Sequence, residues 1–317
     1  MARNWAWVSV TPQSLSLDPG RFSFSWPMAV DEESLRRSFE RFGLLRPILC
    51  IEEGRGLTVA SGYRRVIHLL EQDAEQVAVR VLRHASRTEL WDLLLEDHLD
   101  HRPLNPVEIG LYARRRMADT GEAPEALVDS VLPRLGLPRK VACLDDPLWV
   151  SGLPGRHRDA FAEGRLPAHG ARLLARAERD DALAILDLLA GSEVGVNKFA
   201  DLARWILECA WAEGKQVRSW LGEQGLPDLA GQPEELRRAL RKRRFPRVAE
   251  WEESYEKDVG RARLPRNVRV EHPKGFEGGW LACTAVFSDL EELGRSISEV
   301  QRILGSGGLE PLKRYLG

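Results

Sequence analysis

Hydrophobic and polar positions divide the chain into a mixed first part, a helical middle part and a short strand-rich end. In residues 1–103, short apolar runs typical of strands alternate with segments in which apolar residues recur every three or four positions. The predicted elements of this part are a helix over 31–42, strands over 47–51, 57–60 and 76–82, and a helix over 63–70. Because strands and helices are interleaved without a regular strand–helix–strand repeat, the pattern predicts an α+β fold.

The middle part, residues 104–230, is predicted to be all helical, because glycine and proline interrupt it about every 10–15 residues. Within it, a helix over 123–135, a glycine turn and a helix over 138–149 form a candidate helix-turn-helix. Arg139 and Lys140 stand at the start of the second helix, where base contacts are usually made. The alternative is a degenerate helix pair used only for packing, since two carboxylates follow in the second helix.

The last part ends in a small strand–turn–strand–helix unit. Strands are predicted over 267–271 and 280–287, followed by a helix to about position 304 with Ser288 as its cap and Glu291 completing a capping box. A hairpin and one helix cannot bury an apolar face alone, so we expect a ββα dimerisation unit. The predicted domains are 1–103, a helical domain over 104–230, a basic linker over 231–261 and a dimerisation domain over 262–317.

Charge is nearly balanced over the 317 residues, with 46 Lys and Arg against 48 Asp and Glu and a formal net charge of -2. A globally basic nucleic-acid coat is therefore excluded, and phosphate contacts must come from local patches. In residues 237–247, seven of eleven side chains are basic, and a solvated linker helix is the alternative interpretation. The candidate DNA-contacting residues are Arg114, Arg115, Arg116, Arg139, Lys140, Arg241, Lys242, Arg243 and Arg244.

The four cysteines and the apolar runs bear on the compartment. No cysteine lies in a CxxC motif, so a structural zinc site and a disulfide framework are not expected. The apolar stretch at 5–10 is too short for a signal peptide, and no uncharged apolar stretch reaches about 18 residues. We therefore expect a soluble cytoplasmic protein without a membrane segment.

The sharpest local signal is the segment Ser61-Gly-Tyr-Arg-Arg65, in which a strand ends, a glycine permits close backbone approach and a helix begins with two arginines. Amide hydrogens at a helix start and guanidinium groups together favour a phosphate site. On this spacing alone, a turn followed by a solvated arginine pair is the alternative.

Several short motifs follow one another along the chain. The first is Phe42-Gly-Leu-Leu-Arg-Pro-Ile-Leu-Cys50 followed, after a glycine turn, by Leu57-Thr-Val-Ala-Ser-Gly-Tyr-Arg-Arg65, which resembles the N-terminal domain of ParB partition proteins. Leu104-Asn-Pro-Val-Glu108 resembles the step that starts the family's helical domain, and Gly164–Leu174 resembles a later segment of it. The C-terminal unit is also similar to the family's dimerisation domain. The chain thus resembles a divergent ParB with a ParB/sulfiredoxin-like N-terminal domain.

The resemblance implies a dimeric clamp that binds CTP and Mg²⁺ in its N-terminal domain and DNA through a helix-turn-helix. Such a protein acts in chromosome or plasmid partition or in derived regulation, is nucleoid-associated, and works with a ParA-type ATPase. By motif matching, Gly62, Arg64 and Arg65, with Tyr63 at the family's glutamate position, would cradle the phosphates. Gly43 and Pro47 would shape the base and ribose side.

One motif departs from the family. Where ParB proteins carry Glu-Asn-x-Gln-Arg, this chain reads Asp97-His-Leu-Asp-His101. Asp97 can replace glutamate as a Mg²⁺ ligand and catalytic carboxylate, whereas His98 is a poor Mg²⁺ ligand. We therefore hypothesise altered or lost nucleotide hydrolysis, at most a weak CTPase. The alternatives are an enzyme of the ParB/sulfiredoxin-like superfamily, such as a nuclease or phosphotransferase, and a non-hydrolysing adaptor.

Overall fold

The computed structural model describes residues 5–26, 32–54, 56–191 and 195–316. The chain divides into two compact units, one formed by residues 1–204 with 216–233 and the other by residues 205–215 with 234–317. No helix within these described ranges is long and apolar enough to cross a membrane. The four domains expected from the sequence remain a prediction.

A five-stranded mixed sheet forms the centre of the first unit, with the order β1-β5-β3-β4-β2. Its strands are β1 (Trp5–Val10), β2 (Leu15–Ser16), β3 (Ile48–Glu53), β4 (Gly56–Ser61) and β5 (Val77–Leu82). The β1/β5 and β3/β4 pairs are antiparallel, and the β3/β5 and β2/β4 pairs are parallel. The three strands expected from apolar runs are present, and the mixed sheet with interleaved helices confirms the α+β prediction.

The α-helices are interleaved with the strands along the chain. They are α1 (Pro19–Phe22), α2 (Glu32–Phe42), α3 (Tyr63–Glu71), α4 (Arg87–Leu99), α5 (Pro106–Thr120), α6 (Ala126–Ser130), α7 (Asp145–Ser151), α8 (Gly155–Ala162), α9 (Arg179–Ala190), α10 (Val196–Ala212), α11 (Val217–Glu223), α12 (Pro233–Arg244), α13 (Pro246–Ala262) and α14 (Leu290–Gly305). Asp31, expected to open the second of these, lies outside the described residues. Capping boxes begin α4, at Ser86 and Glu89, and α5, at Asn105 and Glu108, which fixes where both helices start.

Aromatic side chains pack α4, α5 and the segment 22–24 against one another in the first unit. Trp91 of α4 is completely buried, lies 6.0 Å from Phe22 and 6.4 Å from Phe24 between ring centroids, and meets Tyr112 of α5 edge-on at 5.6 Å. Burying these large rings contributes several kcal/mol of stabilisation, about 1.5–3 kcal/mol for each side chain. The segment 22–24 is therefore anchored beside α4.

The candidate helix-turn-helix differs from the sequence prediction. In place of a helix over 123–135 there is the single helical segment Ala126–Ser130 followed by turns, because Pro133 cannot continue a helix. The second helix starts at Asp145 instead of 138, after a short 3₁₀ turn at Val141–Leu144. Aspartate is favourable and proline is tolerated in the first turn of a helix. Asp145, Asp146 and Pro147 therefore start α7 instead of interrupting a longer helix.

The second unit carries the predicted hairpin as β6 (Val268–Glu271) and β7 (Ala282–Ala285), paired antiparallel. The following helix is capped one residue later than expected: the Asp289 carboxylate accepts the Glu292 N–H at 2.7 Å. The Ser288 N–H and hydroxyl donate to the Glu292 carboxylate, so this serine and Glu291 do not form the expected capping box. Tyr255, Leu312 and Tyr315 form a small core beside this hairpin.

Candidate functional site

A cavity of about 380 Å³ opens in the first unit beside the start of α3. Four arginines and one aspartate are among its lining residues, so its charge favours an anionic ligand. We call it the arginine pocket. Its lining residues are Pro19, Ser23, Ser25, Leu35, Arg46, Ala60, Ser61, Gly62, Tyr63, Arg64, Arg65, Ile67, Asp97, His98, His101, Arg102 and Leu104.

The turn from β4 into α3 depends on Gly62. This residue caps the helix with φ of 99° and ψ of 22°, a left-handed conformation that favours glycine. A Cβ atom at this position would lie 3.1 Å from the Arg65 guanidinium carbon. Glycine therefore both permits the turn and leaves room for the arginine to fold back over it. Residues 62–65, which form the start of α3, line the pocket.

Arg65 is held in place by main-chain carbonyl groups. Its Nη1 donates to the Arg46 oxygen at 2.8 Å and to the Pro47 oxygen at 2.7 Å. Burial lowers the pKa of Arg65 and the nearby Asp97 carboxylate opposes that shift, and the guanidinium of an arginine stays charged throughout the ordinary pH range. A fixed positive charge therefore lies at the pocket wall.

The other residues assigned to the nucleotide by motif matching play different structural parts. Arg64 is half-buried and lines the pocket. The Tyr63 hydroxyl lies 2.6 Å from the Val59 oxygen and 3.1 Å from the Asp18 oxygen, and burial raises its pKa. This side chain therefore anchors β4, with its hydroxyl bonded to main-chain oxygens. Gly43 ends α2 and Pro47 positions Arg65, and neither belongs to the pocket lining.

Asp97 and His98, from the last turns of α4, lie on the same pocket wall. The Ser61 hydroxyl donates to Asp97 Oδ2 at 2.7 Å. His98 Nδ1 lies 3.0 Å from the Leu94 carbonyl oxygen and must carry the proton, so Nε2 accepts from the Ser25 hydroxyl at 3.0 Å. Burial lowers the pKa of His98, which favours the neutral ring.

These contacts decide which residues could hold a metal ion. Both nitrogens of His98 are engaged, so the ring is unsuited to Mg²⁺ on geometry as well as on ligand chemistry. Over the described ranges, no group of three or more His, Cys, Asp or Glu side chains could hold a metal. Among the described residues that line the pocket, Asp97 is the carboxylate that could contact Mg²⁺, since that ion is commonly bound by one or two carboxylates together with the phosphates of a ligand.

Arg102 lines the pocket and is paired with Glu108 behind it, a contact that the sequence did not indicate. Glu108 is completely buried and pairs with both Nη atoms of Arg102, at 2.6 and 2.7 Å. The same carboxylate accepts the N–H of Asn105 at 3.0 Å and that of Trp26 at 2.9 Å. The capping box at the start of α5 was a signal for the position of Glu108, but nothing local pointed to its distant partner Trp26.

The candidate DNA-binding arginines of α5 are engaged within the first unit. Arg116 is 1% exposed and binds Asp92 and Glu122 at 2.6 and 2.8 Å, so the expectation of a phosphate contact or solvated face is wrong for this residue. Arg115 donates to the Pro19 oxygen at 3.0 Å and Arg114 to the Leu148 oxygen at 2.7 Å. This triplet joins helix α5 to neighbouring segments.

The remaining candidates differ in exposure. Arg139 and Lys140 are exposed, just before the 3₁₀ turn that precedes α7. In the second unit, carboxylates pair with much of the basic run, which reduces its field. The ion pairs are Arg241 with Glu252 at 2.6 Å, Lys242 with Glu253 at 2.8 Å and Arg244 with Glu208 at 2.5 Å. Arg243 donates to the Ala239 carbonyl oxygen at 3.1 Å.

Neither a protein-family model nor a curated protein matches the chain. A search of solved structures finds C-terminally truncated ParB from Caulobacter crescentus complexed to the centromeric parS site, at 19% identity over 62% of this chain and 97% of that one, with a TM-score of 0.30. The chain is similar to ParB structures. The same ParB complexed with CTP-γ-S matches at 19% identity over 58% and 98% of the two chains, with a TM-score of 0.26. A pNOB8-like ParB N-domain in its C2221 form matches at 14% identity over 81% and 98%, with a TM-score of 0.39.

The structures found by this comparison are ParB structures of low sequence identity. The motif that resembles the ParB Gly-x-Arg-Arg step corresponds here to Gly62, Arg64 and Arg65, all three of which line the arginine pocket. Arg46, Arg102 and Ser25 also line it, although the motifs gave no reason to select them.

Proposed function

We propose that the chain is a ParB-like, nucleotide-switched DNA-binding protein whose arginine pocket binds a nucleoside triphosphate, with CTP as the expected nucleotide. The observation that carries this proposal is the Gly62 turn, which brings the first turn of α3 and the fixed guanidinium of Arg65 to a cavity with three further arginines. Main-chain amides at a helix start and guanidinium groups are suited to phosphate oxygens. The proposed context is partition of a chromosome or plasmid, or regulation derived from it, together with a ParA-type ATPase.

The residues of the pocket suggest how a triphosphate would be held. Arg64, Arg65 and Arg46 would supply positive charge, and the amides of the first turn of α3 would donate hydrogen bonds. Bound Mg²⁺, with Asp97 as its protein ligand, would neutralise part of the phosphate charge. Because His98 is neutral and fully engaged, it orders the pocket wall, and we expect slow or no hydrolysis.

Isothermal titration with CTP, ATP and GTP in the presence of Mg²⁺ tests this proposal. We expect binding of CTP and a loss of at least about tenfold in affinity for Arg64→Ala, since a hydrogen bond to a charged group contributes about 1.5–3 kcal/mol. Arg83→Ala is the matched control, because Arg83 pairs with Glu52 outside the pocket. Absence of heat with all three nucleotides would remove the nucleotide from the proposal.

We also propose that the second unit forms the homodimer. Large apolar side chains on its hairpin and on α14 are exposed in the single chain, including Val286 at 68% and Leu290 at 78%. A second copy would bury them, as the ββα pattern suggests. Light scattering of the purified chain across a concentration series tests for the dimer, and a monomer at every concentration would oppose it.

A non-hydrolysing adaptor is the second candidate function. Its support is the internal engagement of the basic residues: Arg116 is buried, and Arg241, Lys242 and Arg244 pair with carboxylates. DNA binding at two salt concentrations separates the candidates, because phosphate contacts give affinity that falls steeply with salt. The adaptor would show weak DNA binding at both.

A further inference from the structure

The segment that lies against the pocket wall also contacts two helices outside the pocket. Ser25 lines the arginine pocket, and its hydroxyl donates to His98 Nε2 at 3.0 Å. The neighbouring ring of Phe24 lies against His98, tilted by 32°, with 4.0 Å between centroids. Residues 24 and 25 therefore follow any displacement of the pocket wall formed by α4.

The next residue, Trp26, is bound by its main chain to the start of α5. Its N–H donates to Glu108 Oε1 at 2.9 Å, and its carbonyl oxygen accepts from Asn105 Nδ2 at 2.8 Å. Both partners belong to the capping box of α5, so the tryptophan peptide is part of the structure that begins this helix. Hydrogen bonds at both the N–H and the carbonyl oxygen of Trp26 thus hold its main chain at the start of α5.

The side chain of Trp26 continues to α8. Its Nε1 donates to Asp159 Oδ1 at 3.0 Å, and the Arg158 guanidinium lies 3.8 Å from the ring centroid. A cation over an indole face and a hydrogen bond at the indole edge constrain both the tilt and the depth of the ring. Continuous contacts therefore run from His98, through Ser25 and Trp26, to α8.

A ligand can act on these contacts through Arg102. This arginine lines the pocket and also forms two hydrogen bonds with the buried Glu108 carboxylate. A phosphate group competes for the same guanidinium, and a buried carboxylate that loses its cation is costly. Glu108 would then depend more strongly on the Trp26 N–H, which would shift the tryptophan together with its contacts on α8.

We propose that Trp26 is a positioning residue that couples occupancy of the arginine pocket to helix α8. This inference rests on the proposed function, because it requires an anionic ligand in the pocket. Coupling between two sites is typically worth about 5- to 150-fold in affinity or population, which is within reach of exchange measurements. Trp26 belongs neither to the motif of residues 61–65 nor to the candidate DNA-contacting residues.

Hydrogen–deuterium exchange of the full chain, with and without CTP and Mg²⁺ and with inorganic tripolyphosphate as a second probe, tests the proposal. In the wild type we expect the ligand to slow exchange at the start of α3 and to change exchange in α8 by about fivefold or more. Trp26→Phe keeps an aromatic ring but removes the bond to Asp159, and Ser25→Ala removes the bond to His98. In both variants we expect protection of α3 to persist and the ligand-dependent change in α8 to fall to less than half.

Trp7→Phe is the matched control, because Trp7 is 65% exposed on β1 and should leave both responses unchanged. A merely structural tryptophan would change the basal exchange of α8 in Trp26→Phe and leave the ligand-dependent difference intact, which would overturn the proposal. A wild type in which α3 responds and α8 does not would overturn this inference alone. If neither probe protects α3, the proposed function fails, and the coupling fails with it.

Discussion

Arg65 Nη1 lies 2.7 Å from the carbonyl oxygen of Pro47, so the arginine at the start of one helix is fixed by the segment that leads into a neighbouring strand. This contact exists because Gly62 leaves the space that a side chain would occupy. The glycine and the arginine therefore act together to place a positive charge beside the first turn of α3.

Gly62→Ala tests that relationship. At φ of 99° an alanine is strained, and its Cβ would lie 3.1 Å from the Arg65 guanidinium carbon. We expect the free energy of unfolding to fall by about 1–2 kcal/mol or more, and affinity for CTP to fall at least about tenfold. Denaturant unfolding and isothermal titration measure the two effects. Gly222→Ala is the control, because that glycine lies in α11 with open space around it; equal effects of the two substitutions would contradict the expectation.

The same pocket shows how far local sequence patterns reach. The strand predicted over 57–60 is present as Gly56–Ser61 and the helix begins at Tyr63 as predicted, because apolar runs and glycine act over a few residues. Trp26 and Ser25 meet α5 and α4 from more than 70 positions away along the chain, and no local pattern records such a contact. The expectation that Arg116 contacts phosphate or solvent was wrong for a related reason. A run of three arginines does not show which side chain faces the core.

Arg116→Ala is expected to affect stability far more than DNA affinity. The guanidinium is buried between Asp92, Glu122 and the Tyr112 hydroxyl, so its removal leaves partly buried carboxylates without their cation. Removing one partner of a buried ion pair lowers the free energy of unfolding by about 3–5 kcal/mol. Because the two carboxylates are only partly buried, we expect a loss at the lower end of this range. Urea unfolding tests it, with the exposed Arg139→Ala as control. A large loss of DNA binding in a fully folded Arg116→Ala protein would contradict the assignment.

The ion pairs of α12 and α13 predict that removing carboxylates strengthens DNA binding. Glu252→Gln together with Glu253→Gln releases Arg241 and Lys242 from their partners. Each phosphate contact on duplex DNA contributes about 0.9 to the slope of log affinity against log salt concentration. If both cations then contact phosphates, the slope should steepen by about 1.8. Fluorescence anisotropy on one duplex at several salt concentrations measures the slope. Glu277→Gln with Glu291→Gln makes the same charge change outside both helices, and an equal gain there would indicate a general charge effect.

His98 predicts a loss of stability on mild acidification. Burial lowers its pKa in the folded chain, so below the ordinary value of about 6.5 the unfolded chain binds the proton more readily than the folded one. The free energy of unfolding should therefore fall as pH drops from 7 toward the lowered pKa, by at most about 1.4 kcal/mol per pH unit from this group. Unfolding curves at pH 7 and 5.5 test this. His98→Asn should flatten the dependence, whereas the exposed His101→Asn should preserve it.

Leu290→Glu addresses the proposed dimer. Leu290 is 78% exposed at the first position of α14, so a charge there costs the single chain little, and a glutamate is favourable in a first helical turn. In a dimer that buries this face, the same carboxylate would be desolvated without a partner, which is strongly unfavourable. We therefore expect dissociation of the dimer by light scattering while the thermal unfolding of the first unit is unchanged. Leu45→Glu, at a 66% exposed leucine of the first unit, is the control. Loss of the dimer in that variant instead would place the interface elsewhere.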